Sequence, residues 1–158
     1  VYLALSSEVK VGVTRKTQIP TRWIDQGAEE AIVVVEVPNR YLAGITEVAL
    51  KNHFADKTNW RKMLTNTYDA VDLVQEKAKV QAWLPDEVRE FYNLDKNEII
   101  AMHYPVAAYP TKVNSLNLDK TPFYQGQLIG VKGQYLLFQD GTVFNVRSYE
   151  GYVVQIAI

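Results

Sequence analysis

Cysteine is missing from all 158 residues. No disulfide framework staples this stretch, and no thiolate is on hand for a metal. Histidine is nearly missing too: His53 and His103 are the only two. With so few soft ligands a zinc site is not expected, and both histidines read as structural. No apolar run is long enough to span a bilayer, which argues against a membrane partner. Neither sign of charge dominates. The net charge is −1, which supplies no bulk attraction to nucleic acid. An initiating methionine is also missing. Val1 already sits inside a strand pattern, as expected of a fragment or a processed form, so an upstream signal segment would not be visible. Internal repeats and low-complexity tracts are lacking.

What remains is the apolar and aromatic content of a globular protein, in one domain of ordinary size or two small ones. Its charge is unevenly spread. Residues 1–62 hold nine Lys and Arg against seven Asp and Glu, and the remainder holds eight against eleven. The front half therefore permits a local phosphate site.

That half opens on a hairpin. Val1 to Leu5 and Val9 to Thr14 both alternate with period two, around a turn at Ser6-Ser7-Glu8. The loop length pairs Leu5 with Val9, Ala4 with Lys10 and Tyr2 with Gly12. Tyr2, Ala4, Lys10, Gly12 and Thr14 then share one face. Pro20 to Gly27 reads as a short helix with a proline start and a glycine stop. Ile32 to Val37 reads as a buried strand. Asn39 is the expected N-cap of a long helix, Arg40 to Ala55, with Glu47 at the edge of its apolar arc.

The polar connection Asp56 to Lys62 closes a core at residues 1–62. Residues 63–106 are expected to form a helical connecting layer, with helices over Tyr68 to Leu84 and Pro85 to Asn93 and a strand near Glu98 to Val106. Residues 107–122 read as a linker. Residues 123–158 read as a four-stranded antiparallel module: Gly126–Val131, Gln134–Phe138, Thr142–Arg147 and Tyr152–Ile158. The fold class is α+β.

Along residues 1–62 the chain resembles the GIY-YIG endonuclease family. Val1-Tyr2 stands where that family has Ile-Tyr, and Lys10-Val11-Gly12 with Thr14 stands where it has Tyr-Ile-Gly and a threonine. Arg22 matches the arginine of its first helix, Ala43 to Glu47 its later Ala-to-Glu helix, and Asn59 an asparagine that comes after that helix. The lysine at position 10 is similar to a phage-type branch of that superfamily. The resemblance implies a β-β-α-β-α core and phosphodiester hydrolysis of DNA or RNA with one Mg²⁺ or Mn²⁺ ion. It implies Glu47 as metal ligand, Arg22 on the phosphate, Tyr2 at the attacking water, Lys10 in the catalytic set, and Gly12, Thr14 and Asn59 against substrate. In-line attack on an anionic ester needs such charge neutralisation and a base in reach of the water.

Simpler readings stand beside these. Glu47 and Lys51 are spaced for a surface ion pair, Arg22 alone would be solvated, and Tyr2 alone would be core. Tyr135, Phe144, Arg147, Tyr149 and Tyr152 could stack on bases, although packing a small sheet is the commoner role. Over nearly its whole length the chain also resembles an uncharacterised bacterial family known mainly as a domain of unknown function. Its longer members carry a cysteine-containing segment ahead of this region. Gly130 to Leu136 and Asp140 to Arg147 carry that likeness. Three functions stay open: a cytoplasmic metal-dependent nuclease, a nucleic-acid binder that has lost catalysis, and a protein-interaction module. Oligomeric state is left open.

Overall fold

The computed structural model describes residues 1–55 and 57–157. Asp56 of the expected polar connection and Ile158 of the expected last strand lie outside the described residues. The architecture is α+β with two four-stranded sheets.

The first sheet is built on β1 (Tyr2–Leu5), flanked by β2 (Val9–Gly12) and by β3 (Glu30–Val33). Both neighbours are antiparallel. Tyr2 pairs with Gly12 on one side and with Val33 on the other. The hairpin register is the one its loop length predicts. Alternation then splits β1 cleanly. Leu3 and Leu5 join Ile32, Val34, Leu50, Leu73 and Val80 in one core cluster, while Tyr2 and Ala4 join Trp23, Ala28, Ala31 and Met102 in another. All four β1 residues are buried, since apolar layers cover both faces of the sheet.

Between β2 and β3 lies α1 (Thr21–Asp25), shorter than expected, with Pro20 just ahead of it and Gly27 turning the chain at a φ of 66°. β3 begins two residues earlier than predicted because Glu30 pairs with Leu5, and its ladder to β1 ends where Val33 meets Tyr2. α2 (Arg40–Leu50) starts at Asn39, whose side chain accepts a hydrogen bond from the Leu42 amide at 2.9 Å. It stops short of the predicted Ala55. The stretch expected to be a plain connection contains α3 (Trp60–Leu64), capped by Asn59.

The middle part is less helical than expected. Only α4 (Leu73–Val80) is α-helical, running into a 3₁₀ turn at Gln81–Trp83, and Asp86–Phe91 is 3₁₀ as well. Periodicity over Tyr68 to Leu84 overstates the helix because Asp72 caps it late, accepting from the Val74 and Gln75 amides. The expected strand near Glu98 shrinks to β4 (Ile99–Ala101), which pairs with β3 as the outer strand of the first sheet.

The expected linker is also tied down. It contributes β5 (Asn114–Ser115), which pairs in parallel with β8 (Thr142–Asn145), and Val113 is buried. β6 (Leu128–Lys132), β7 (Tyr135–Phe138) and β8 form the predicted meander. The fourth strand is thus β5 and not the predicted C-terminal one, since residues 152–157 form no strand. Asn114 and Leu116 donate to the Gly141 and Val143 carbonyls, so that edge of β8 is already occupied. No helix among the described residues is long and apolar enough to cross a membrane.

Candidate functional site

A cleft of about 880 Å³ opens at the end of the first sheet, where β1 begins and β2 and β3 finish. Tyr2 and Val33 lie at its floor, Thr14, Arg15 and Lys16 along one wall, and Arg40, Ala43, Gly44 and Glu47 of α2 along the other. Asn39 holds that wall in place by starting α2 at the cleft's edge. Glu47 is two helical turns further on and half-buried.

Tyr2 is buried and packed edge-on against Trp23, with ring centres 5.6 Å apart. Its phenol lies across Gly12: a Cβ built there would come within 2.5 Å of the ring's Cζ and of the hydroxyl. Gly12 therefore makes room for Tyr2. The Tyr2 hydroxyl accepts a hydrogen bond from Gln26 Nε2 at 2.8 Å. Burial pushes the phenol's pKa up. The Gln26 hydrogen bond and then the nearby Arg22 guanidinium pull it back, and the Glu47 carboxylate pushes up again. Glu47 lines the cleft together with Tyr2, whereas Arg22, exposed on α1, is not among the residues that line it.

Lys10 lies on the same face as Tyr2, opposite Ala4. Its amine donates to Thr58 Oγ1 at 2.7 Å, and Thr58 also shares a hydrogen bond with Ser6. Burial, helped by the positive charge of Arg22, lowers the Lys10 pKa to about 8. Thr14 lines the cleft, its hydroxyl 3.4 Å from Gln18 Oε1.

Asn59 is not brought to the cleft. Its amide donates to Ser7 at the hairpin turn, the far end of β1 from Tyr2, and its side-chain oxygen accepts from the Arg61 and Lys62 amides. Its observed duty is to cap α3. His53 stacks on Trp83 with centres 3.8 Å apart, and so keeps a packing role.

Sequence reasoning missed Gln26, the hydrogen-bond partner of the Tyr2 hydroxyl. The signal was present, since Gln26 comes four residues after Arg22 and such pairs share a helix face. It also missed Arg15, Lys16 and Arg40 as the cationic rim. Glu36 is on that rim as well, but Lys16 and Lys96 hold it at 2.9 and 2.7 Å and lower its pKa to about 2. Among the described residues no three His, Asp or Glu side chains cluster in a ready-made metal cage.

Residues 1–154 match the model of the family described as "Protein of unknown function (DUF2797)". No curated protein and no solved structure matches the chain.

Proposed function

We propose that this chain, which belongs to the DUF2797 family, acts on nucleic acid in the manner of the divalent-cation-dependent GIY-YIG phosphodiesterases, with the cytoplasm as its setting. The observation that carries this reading is that Tyr2 and Glu47 line one cleft whose rim carries Arg15, Lys16 and Arg40. Arg15 and Arg40 attract the polyanion, and Arg22 binds the scissile phosphate.

Glu47 is the residue that would hold Mg²⁺ or Mn²⁺, which when bound supplies charge neutralisation at the phosphate. One carboxylate is a fitting donor set for such an ion, because Mg²⁺ keeps several waters and takes further ligands from substrate phosphates. Tyr2, with its pKa raised by burial, stays a neutral phenol and positions the attacking water by hydrogen bonding. Lys10 is the better proton acceptor. With a pKa near 8 a useful fraction of its amine is neutral close to physiological pH, where general bases work best.

The test compares wild type with Glu47→Ala on single- and double-stranded DNA and RNA, with Mg²⁺ or Mn²⁺ added. Cleavage by wild type and its loss in Glu47→Ala, with binding retained or tightened, is the expected result. Equal cleavage by both proteins removes the role assigned to Glu47. Binding without cleavage by either protein selects the second reading, a binder on a nuclease-like core. That reading is favoured by the Tyr2 hydroxyl and the Lys10 amine already having protein partners. Absence of both binding and cleavage overturns the nucleic-acid reading.

A further inference from the structure

Residues 57–68 hold three cations, Lys57, Arg61 and Lys62, and no carboxylate, in a chain whose net charge is −1. Among the described residues neither Arg61 nor Lys62 has an acidic partner. Both are exposed on α3. Trp60 leads that helix. It packs partly on the core formed by Met63, Leu64, Val113 and Leu137, and keeps part of its surface in solvent.

The Arg61 guanidinium lies 4.2 Å from the centre of the Trp60 ring. The ring of Tyr135, from β7 in the other sheet, stacks on Trp60 at 5.9 Å with only 11° between planes. Arg61 and Tyr135 thus both lie against the ring of Trp60. The remaining aromatics of the second sheet differ. Phe144 stacks on Tyr149, Tyr149 meets Tyr152 edge-on, and the two tyrosine hydroxyls bond to Leu116, Leu118 and Asp119.

The segment that leads into α3 is tied to β2 of the first sheet. Thr58, two residues before Trp60, receives the Lys10 amine, and Lys10 lies on the same face of the hairpin as Tyr2.

We propose that this surface is the path of a single-stranded nucleic acid leaving the Tyr2–Glu47 cleft. Its phosphates pass Lys10, Arg61 and Lys62, and a base adds to the Arg61–Trp60–Tyr135 stack. This rests on the nucleic-acid reading above. Every base has a π-face that stacks on aromatic rings and guanidinium planes, whereas the faces of bases in a duplex are already covered. Cations spaced along the route release counterions from the backbone, which makes the attraction salt-dependent.

The test measures binding of the full chain to a fluorescein-labelled single-stranded oligonucleotide and to its duplex, by anisotropy across a salt series. Wild type should bind the single strand more tightly. The Arg61→Ala/Lys62→Ala double variant should bind it roughly tenfold or more weakly with a shallower salt slope. Arg61→Lys should restore the slope but not the full affinity, because it returns the charge without the plane. Circular dichroism checks that the exposed substitutions leave the fold intact. A double variant that binds like a competent wild type overturns this path and leaves the nucleic-acid reading standing, as does tighter binding of duplex than of single strand. A wild type that binds neither probe overturns both.

Discussion

An amine that is half withdrawn from water and set beside a guanidinium loses its proton early, and Lys10 is such an amine. Its pKa falls from the ordinary lysine value of 10.5 to about 8 on folding, through burial first and Arg22 second. Below pH 8 both the folded and the unfolded chain hold the proton, and the folded state bears the cost of a poorly solvated charge. Between pH 8 and 10.5 the unfolded chain binds more protons than the folded one, so stability from this group rises with pH across that window. Wild type should therefore gain on Lys10→Met as pH goes from about 7 to about 9.5, measured as the difference between their urea midpoints. A constant difference would show that Lys10 titrates normally. If Lys10 is also the base, cleavage by wild type should rise through an apparent pKa near 8.

At the scale of elements, the cleft depends on where α2 starts. Asn39 has extended backbone angles and its side chain satisfies the Leu42 amide, so the helix begins there and carries Glu47 to the cleft wall two turns later. Asn39→Ala should cost about 1 kcal/mol of stability, while Asn39→Asp should cost far less because it keeps the acceptor. Thermal melting of the two variants checks this. A cleavage loss in Asn39→Ala larger than its stability loss would show that the cap also positions Glu47. Asn59 does the same for α3, and so sets the placement of Trp60 and Arg61.

At the scale of the whole molecule, the two sheets are fastened by a buried lysine. Lys132 of β6 has no exposed surface, and its amine donates to Glu29 and to Asn66, the latter at 2.9 Å. The rings of Tyr104 and Tyr109 lie 5.4 and 4.8 Å from the same amine. Burial lowers its pKa and the Glu29 carboxylate opposes that shift. The next residue, Gly133, has a φ of 58° and sits against the backbone of Asp25 and Gly27, where a Cβ would come within 3.1 Å of the Gly27 nitrogen. Lys132→Met strands the Glu29 carboxylate and should cost about 3–5 kcal/mol. Adding Glu29→Gln should recover much of that, because removing both charges of a buried pair is far milder than removing one. Urea unfolding of the single and double variants gives the coupling. Additive losses would show that the pair does not hold the sheets together.

The sequence alone determined the local geometry that rests on neighbours along the chain. Two-residue alternation and a short turn set the β1–β2 register and laid Tyr2 over Gly12, because a slip by one residue would have exchanged the two faces and put Tyr2 opposite a side chain instead of a glycine. Asn39 marked the start of α2 through its own side-chain chemistry. The meander of β6, β7 and β8 was legible from its Lys-Gly and Asp-Gly turns, where Gly133 and Gly141 have positive φ. Only the tertiary structure decided which distant segments fill the remaining sheet edges. β4 joins β3 across a long stretch of intervening chain, and β5 takes the edge of β8 that the C-terminal segment was expected to fill. A strand of two or three residues has almost no periodicity of its own, and is specified by the unpaired backbone groups it meets. The environment of Lys10 and the partnership of Lys132 with Glu29 were hidden for the same reason. Burial and charge neighbours belong to the folded arrangement of segments that the chain itself keeps far apart.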